Sequence, residues 1–247
     1  MENFIDIHSH ILPRVDDGSA NSEMSMKMLR IAADEGIRQI ILTPHNKPGR
    51  RQADLSRIAA KTEELRDRLL TENLDIKLYI GSELYYRSSL FEEIESGLAG
   101  TLAGSHYVLV EFGPLDDFDY IRGGIYTMLM NGYHPVLAHV ERYRNVCAKV
   151  ERINELVEMG CYIQVNAGSI MGKSGIGTRQ FTKKLLRQHL VHFVATDAHD
   201  LEKRAPRLAD CADYIRKKFG KDYQQRLLYD NPMCILQDKF IMDWKDR

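Results

Sequence analysis

Two histidines spaced by two follow the first apolar run of the chain. Residues 4–7 read Phe-Ile-Asp-Ile, and His8 and His10 come directly after them. A short, mostly apolar run predicts a buried strand. Side chains at positions i and i+2 of a strand point to the same side, so the two imidazoles are expected together. Paired neutral imidazoles suit a divalent cation; the alternative at this point is two polar residues that leave a strand for solvent.

The later apolar runs of the chain end in the same kinds of side chain. Six of seven runs carry an imidazole or a carboxylate at the carboxyl end, where barrels of parallel strands build their active sites. The candidate ligands are His8, His10, His45, Glu83, Glu111, His139, Asp197 and His199. Four other histidines stand at the opposite ends of the runs, which predicts structural or solvated roles; they are His106, His134, His189 and His192.

Strand-like and helix-like segments alternate along the chain, which predicts βαβ units and a parallel sheet. The predicted strands cover 3–8, 38–44, 76–82, 106–112, 134–139, 161–166 and 191–196. The predicted helices cover 22–36, 51–73, 87–97, 120–132, 147–159, 178–189, 204–218 and 221–229, and a short tail is predicted from Asn231-Pro232. We therefore predict an α/β fold with one domain over residues 1–247, a distorted seven-stranded (β/α) barrel. An open doubly wound sheet is the alternative.

The composition argues against several classes of partner. Lysine and arginine number 34 and aspartate and glutamate 35, so no overall charge draws the chain to nucleic acid or to a membrane surface. No apolar stretch reaches 18 residues, and the first residues are acidic where a signal peptide would be basic. We expect a cytoplasmic protein that neither binds nucleic acid nor inserts into a membrane.

Four cysteines lie far apart, at Cys147, Cys161, Cys211 and Cys234. This spacing contains no C-x-x-C pair, which predicts reduced thiols rather than a zinc knuckle or a disulfide framework. None of them has an arginine six positions later. The C-x5-R phosphate loop of cysteine-dependent phosphatases is therefore missing.

The order of these motifs resembles a known superfamily. DIHSH, DDG, TPH, GSE, VEF, AHVER and TDAH, which run from Asp6 to about Pro232, are similar to the motifs of the polymerase and histidinol phosphatase (PHP) superfamily. More narrowly, they resemble the manganese-dependent protein-tyrosine phosphatases encoded in Gram-positive capsule and exopolysaccharide operons. The resemblance implies a PHP-type barrel with its metal site at the carboxyl ends of the strands.

The resemblance also implies three metal ions, with manganese favoured and iron or zinc as alternatives. The implied ligand groups are His8, His10, Glu83 and Asp197; Glu83, Glu111 and His139; and Asp17, His45 and His199. Asp17 is chosen over Asp16 because the family places this ligand seven residues after the second histidine, so Asp16 is interpreted as a loop or cap residue. The carboxylates of Asp17 and Glu111 add hard oxygen donors to the ligand set, which favours manganese or iron over zinc.

Two arginines follow ligand positions closely. Arg142 comes three residues after His139, and Arg204 five after His199. A guanidinium matches a phosphate with two parallel hydrogen bonds, and both positions agree with the family's phosphate-binding arginines. Arg142 and Arg204 are therefore predicted to act in catalysis, and the assignment of Arg144 in the same loop stays open.

The function implied by the resemblance is a metal-dependent phosphomonoesterase. Its substrate would be phosphotyrosine in a protein, the tail of a bacterial tyrosine autokinase in particular. One alternative is a small-molecule phosphatase of the histidinol-phosphate type. The other is a non-catalytic metal-binding module.

Three further features of the sequence could take part in binding a phosphorylated substrate. Residues 167–174 match a relaxed Walker A pattern, but the glycines at 175 and 177 are expected to interrupt the helix that a phosphate loop needs. Lys173 in that loop and Lys47, Arg50 and Arg51 after the second strand are candidate contacts of an anionic substrate. Aromatic residues that border the ligand strands are candidate walls for an aromatic leaving group: Tyr85, Tyr86, Phe112, Phe118, Tyr120 and Tyr143.

Overall fold

The computed structural model describes residues 2–49 and 53–241, in which parallel strands alternate with helices. The strands are β1 (Phe4–Ser9), β2 (Ile37–Leu42), β3 (His45–Asn46), β4 (Lys77–Ile80), β5 (Glu83–Tyr85), β6 (Tyr107–Glu111), β7 (His134–Leu137), β8 (Tyr162–Asn166) and β9 (Phe193–Ala195). The helices are α1 (Ser22–Asp34), α2 (Leu55–Thr71), α3 (Leu90–Glu95), α4 (Phe118–Met130), α5 (Arg144–Cys147), α6 (Val150–Glu158), α7 (Ala167–Ile170), α8 (Ile176–Arg187), α9 (Ala209–Phe219), α10 (Lys221–Gln225) and α11 (Asn231–Leu236). No helix in these two ranges is both long and apolar enough to cross a membrane.

The strands form a curled parallel sheet in two parts. One part has the order β1-β2-β4 and the other β3-β5-β6-β7-β8-β9. Hydrogen bonds from His10 N to Ala198 O (2.8 Å) and from Asp197 N to His8 O (2.9 Å) link the end of β1 to the segment after β9. The α/β class and the parallel sheet predicted from the alternation are confirmed.

Two predicted strands end early, and a further short strand follows each of them. The strand predicted at 38–44 ends at Leu42, shortly before Pro44, which has no N–H to give to the ladder. The strand predicted at 76–82 ends at Ile80, directly before Gly81, where a Cβ would lie 3.0 Å from Ile41 Cγ2. Hydrogen bonds from Gly81 N to Leu42 O (2.9 Å) and from Glu83 N to Pro44 O (3.1 Å) carry the pairing across both breaks. His45 and Glu83 therefore start short continuation strands beyond the breaks.

Several helix predictions need correction. The helix predicted at 204–218 begins only at Ala209, because Pro206 disfavours a helical conformation for the residue before it. The tail predicted from Asn231-Pro232 is wrong: these residues form the first turn of α11, where proline is tolerated, and α11 directly follows a π-helical turn at Arg226–Asp230. The helix predicted at 147–159 corresponds to α6, which begins only at Val150, and the short α5 comes before it. The prediction at 51–73 begins outside the described residues, and the observed α2 starts at Leu55 with Asp54 as its cap.

Alternate side chains of the strands point into the curl of the sheet, where apolar residues pack below the polar residues at the strand ends. Tyr107 and Leu109 of β6 belong to a cluster inside the curl, and Glu111 is the next residue of the same alternation. Phe193 and Ala195 of β9 belong to the same inner cluster. This packing fixes the direction in which the ligand candidates point.

Candidate metal centre

The nine predicted ligands lie together near the carboxyl ends of the strands. Their ligand atoms form four overlapping groups, and within each group these atoms lie within 4.8 Å of one another. The groups are His10, Asp17, His45 and His199; His8, His10 and Asp197; His8, Glu83 and His139; and His45, Glu83 and Glu111. All but Asp17, whose side chain is 52% exposed, are buried or nearly so. The structure thus brings together every residue of the predicted set.

Glu83 lies at the middle of this cluster and is fully buried. Its Oε1 is 2.7 Å from His139 Nε2, and its Oε2 is 2.7 Å from His45 Nδ1. His8 Nε2 and His10 Nε2 lie 3.4 and 3.3 Å from the same Oε2. Burial alone would raise the pKa of Glu83, but the charge of His8, the hydrogen bond with His139 and the close imidazoles of His10 and His45 hold it well below its usual value. Glu83 is therefore an ionised carboxylate that faces several groups at once.

The grouping differs from that implied by the family resemblance, most clearly for Glu111 and His139. Glu111 shares a group with His45 and Glu83, whereas His139 shares one with His8 and Glu83. The parallel register explains the first group, since His45 pairs with Glu83 and Tyr85 pairs with Glu111 on successive strands. The assignment of ligands to individual ions stays a prediction.

Several buried nitrogen and oxygen atoms of the cluster make no hydrogen bond. Among the described residues, Glu83 Oε2, His45 Nδ1 and His199 Nε2 are buried and make no hydrogen bond of acceptable geometry, although Glu83 Oε2 and His45 Nδ1 are 2.7 Å apart. Leaving such an atom unpaired costs about 1–3 kcal/mol. Carboxylate oxygens and imidazole nitrogens are the donors that divalent cations pair with. The donor set therefore fits divalent metal ions.

Comparison with known proteins identifies the family. A profile described as capsular polysaccharide synthesis, CpsB/CapC, matches residues 4–237. The chain belongs to the CpsB/CapC family. It is 35% identical to tyrosine-protein phosphatase CpsB of Streptococcus pneumoniae, over 96% of this chain and 100% of the relative. It is 33% identical to tyrosine-protein phosphatase YwqE of Bacillus subtilis, over 96% and 93% of the two chains.

A solved structure agrees with this assignment. The chain superposes with a TM-score of 0.90, at 31% identity and 96% coverage of both chains, on a structure from work on B. subtilis YwqE and S. pneumoniae CpsB. Those two proteins are described there as unique metal-dependent tyrosine phosphatases. The family resemblance inferred from the motifs is confirmed.

Asp16 of this CpsB/CapC chain does more than cap a loop. Its Oδ2 lies 2.7 Å from His10 Nδ1 and accepts the His45 backbone N–H at 3.0 Å, while its Oδ1 accepts the Gly18 N–H at 2.9 Å. Burial opposes ionisation, but the charge of His10 and these hydrogen bonds hold the pKa of Asp16 below its usual value. With Nδ1 so engaged, His10 directs Nε2 into the cluster. The interpretation of Asp16 as a loop or cap residue was incomplete.

Changing Asp16 to asparagine should weaken metal binding without unfolding the chain. The charge that orients His10 is lost, while one side-chain oxygen can still serve the loop N–H groups. Carboxylates that hold ligating histidines contribute roughly 10- to 100-fold in metal affinity. Calorimetric titration of metal-free protein with manganese measures the effect, with Asp67→Asn on the exposed face of α2 as control. Equal affinities for both variants would contradict the role given to Asp16.

Two polar residues of β8 hold the opposite side of the cluster. Gln164 Oε1 accepts the His139 N–H at 2.8 Å and lies 3.1 Å from His8 Nδ1. Asn166 Nδ2 donates to Asp197 Oδ2 at 2.8 Å, and Gln164 Nε2 donates to Asn166 Oδ1 at 2.8 Å. Sequence reasoning missed both residues. The available signal was two polar side chains at i and i+2 in a mostly buried strand, the one predicted strand that carried no ligand candidate.

Both predicted arginines contact Asp197. Arg142 Nη2 lies 2.5 Å from Asp197 Oδ2, and Arg204 Nη2 lies 2.7 Å from Asp197 Oδ1. Their side chains remain 43% and 38% exposed, so they border the cluster on its solvent side. Arg144 is also exposed but does not line the cavity that Arg142 and Arg204 share.

Backbone conformation is unusual at two ligand positions. His139 and Asp197 have φ of 34° and 53°, in the left-handed region that costs most non-glycine residues free energy. Such conformations cluster at functional sites, where the surrounding structure maintains them. Both residues are buried and hydrogen-bonded in the cluster, which supplies that support.

The Walker-like stretch at residues 167–174 does not form a phosphate loop, but the expectation that glycines 175 and 177 interrupt a helix there is wrong. Helix α8 begins at Ile176, so the glycines do not prevent a helix. Residues 167–170 already form α7, and the N–H groups of Met171, Gly172 and Lys173 donate to Ala167, Ser169 and Gly168. Backbone donors that a phosphate would need are therefore already used.

The remaining residues singled out in the sequence lie at different distances from the ligand cluster. Lys47 Nζ lies 3.5 Å from Glu111 Oε1 and 4.2 Å from the centre of the Tyr85 ring, so it borders the cluster. Arg50 and Arg51 lie outside the described residues. The four histidines predicted to be structural are absent from the ligand groups of the described chain; His106 pairs with Asp238, and His192 Nδ1 accepts the Ile163 N–H.

Proposed function

We propose that this CpsB/CapC chain is a metal-dependent phosphatase that hydrolyses phosphotyrosine in proteins during capsular polysaccharide synthesis. The convergence of nine imidazole and carboxylate side chains beside two arginines carries the proposal. Relatives that match nearly the whole chain and are named tyrosine-protein phosphatases support the reaction class.

The nine residues of the cluster are proposed as ligands of three manganese ions, with iron or zinc as alternatives. Every donor in the four groups is an imidazole or a carboxylate, and the carboxylates of Asp17 and Glu111 favour a hard cation. We further propose that the two parts of the sheet form one distorted seven-stranded barrel within a single domain over residues 1–247. The links between β1 and the segment after β9 support this closure.

The side chains of the chain itself account for binding and orientation. Divalent cations, when bound, polarise a phosphate ester and make water more acidic. Asp16 and Gln164 hold His10 and His8 so that their Nε2 atoms face the cluster. Arg142 and Arg204 can pair with phosphate oxygens in a planar, bidentate geometry. Tyrosine has a pKa of about 10, so its phenolate leaves with less help from a proton donor than an alkoxide needs.

The proposed substrate is a phosphotyrosine protein, with a bacterial tyrosine kinase as the partner. A chain that acts on such a kinase tail would work in the cytoplasm, which stays a prediction. Neither nucleic acid nor insertion into a membrane is part of the proposal, consistent with the balanced charge of the chain.

Substrate ranking tests the proposal. We expect kcat/KM to be far higher for a phosphotyrosine peptide than for a phosphoserine peptide or histidinol phosphate, at one pH and one manganese concentration. If histidinol phosphate is preferred tenfold or more, about 1.4 kcal/mol in transition-state binding, the small-molecule alternative replaces the proposal. If 4-nitrophenyl phosphate is not turned over at all, the non-catalytic metal-binding module remains.

Thiol alkylation should leave the enzyme active, whereas chelators should inactivate it. Burial raises the pKa of Cys147 and of Cys161 to about 12, and no cysteine belongs to the ligand groups of the described chain. Thiols with so high a pKa are poor nucleophiles at neutral pH. Activity is measured after iodoacetamide and, separately, after dialysis against a chelator. Loss of activity with iodoacetamide together with tolerance of the chelator would contradict the proposed mechanism.

A further inference from the structure

A cavity of about 470 Å³ opens directly beside the metal centre. Arg142, Asp197 and Arg204 form the wall that it shares with the ligand cluster. Pockets of ~300–1,000 Å³ hold whole drug-sized ligands, so this volume exceeds what a single phosphate group fills. The cavity therefore has room for a part of the substrate other than its phosphate.

The charged side chains in the rest of the cavity lining are mostly basic. They are Lys173, Lys203 and Arg207, and Glu202 is the one acidic side chain there among the described residues. Arg207 pairs with Glu35 at 3.3 Å. In the described chain no carboxylate lies within 4 Å of the Lys173 or Lys203 ammonium group. The chain as a whole has a net charge of −1, so the positive charge is concentrated locally.

A contact between two loops places the Lys173 side chain beside Lys203 at the cavity. Lys173 Nζ lies 3.4 Å from Lys203 O, which connects the loop after α7 to the loop after His199. The aliphatic part of Lys173 packs on Gly168, where an added Cβ would lie 3.3 Å from Lys173 Cδ. The described lining contains hydroxyl and amide groups and no aromatic ring. Such walls suit an anion better than the tyrosyl ring itself.

Resting on the proposed function, we propose that this cavity is a specificity subsite for carboxylate side chains that flank the phosphotyrosine of the substrate. Lys173 and Lys203 pair with those carboxylates while the phosphate lies at the metal centre. Glu202 opposes them by repulsion. The enzyme therefore prefers phosphotyrosine in an acidic segment of a protein.

Two peptides of one length test the subsite. Both carry a central phosphotyrosine, and the flanking positions on each side hold glutamate in one peptide and glutamine in the other. We expect wild-type protein with manganese to prefer the acidic peptide in kcat/KM by roughly fivefold or more, with the preference weakening between about 0.05 and 0.5 M salt. The double variant Lys173→Gln/Lys203→Gln should bring the ratio near one, and Glu202→Gln should increase it.

Matched controls separate the possible outcomes. Lys27→Gln/Lys218→Gln removes the same charge from exposed helical positions away from the cavity and should keep the wild-type ratio. A wild-type ratio near one, or an equal loss on both peptides and on 4-nitrophenyl phosphate in the Lys173/Lys203 variant, would overturn the subsite. Failure of the wild type to hydrolyse 4-nitrophenyl phosphate would instead count against the proposed function.

Discussion

Replacing Glu83 by alanine should remove most of the bound metal and reduce kcat/KM by about a thousandfold or more. Its two oxygens face imidazoles on opposite sides, His139 at Oε1 and His45 at Oε2, and His8 and His10 lie within 3.4 Å. A carboxylate in that position could hold two ions, in which case its loss would affect both. Elemental analysis and assay of the purified variant measure both consequences.

Glu83→Gln distinguishes loss of charge from loss of volume. Glutamine fills the same buried space, so the fold should be kept while one ligand oxygen and the negative charge are lost. Glu63→Ala, at an exposed position on α2, removes a carboxylate elsewhere and should leave metal content and turnover normal. Full metal occupancy and normal turnover in Glu83→Gln would contradict a bridging role for this carboxylate.

The residues that meet at the cluster could be predicted because strand ends carry them. Short apolar runs end in His8, Glu111 or Asp197, and parallel strands bring their carboxyl ends to one edge. The resemblance to a known family added Asp17, which lies in a loop and has no strand periodicity to reveal it. Side-chain type and strand direction were therefore enough to predict which residues meet at the cluster, except for Asp17.

The residues that orient the ligands could not be found in the same way. Asp16 stands next to Asp17, and only the turn through Gly18 decides which carboxylate meets His10 and which faces His45 and His199. Gln164 acts on His8 and His139 across the sheet, a contact between residues 156 positions apart in the first case. Such pairs depend on the packed structure rather than on any local pattern.

The early ends of two strands were signalled in the sequence by a proline and a glycine, but the apolar pattern of the runs led us to predict strands that include them. Pro44 and Gly81 lie at the ends of the runs predicted as strands 38–44 and 76–82, and the observed strands end before them, at Leu42 and Ile80. The consequence is functional, because His45 and Glu83 start the continuation strands and pair in register. An interruption that moves a ligand beyond the regular ladder is common near active sites.

Changing Arg142 or Arg204 to alanine should lower kcat/KM by about a hundredfold each while the metals remain bound. Each guanidinium contacts a different oxygen of Asp197 and keeps part of its surface open to the cavity. Phosphate capture is expected to suffer first, since the arginines are not themselves ligands. Steady-state kinetics on a phosphotyrosine peptide, with metal analysis of each variant, gives the comparison. Arg142→Lys keeps the charge but loses the planar pair of donors, so partial recovery would separate charge from geometry.

The double variant adds information that the single ones lack. Because both arginines pair with one buried carboxylate, their effects are expected to be non-additive, and a double-mutant cycle measures that coupling. Arg144→Ala is the matched control: it lies two residues after Arg142, is exposed, and does not line the cavity. If Arg144→Ala loses as much activity as Arg142→Ala, the conformation of the loop matters rather than the guanidinium. If metal content falls in the Arg142 and Arg204 variants, these arginines act by holding Asp197 in place, and phosphate binding must be assigned to other groups.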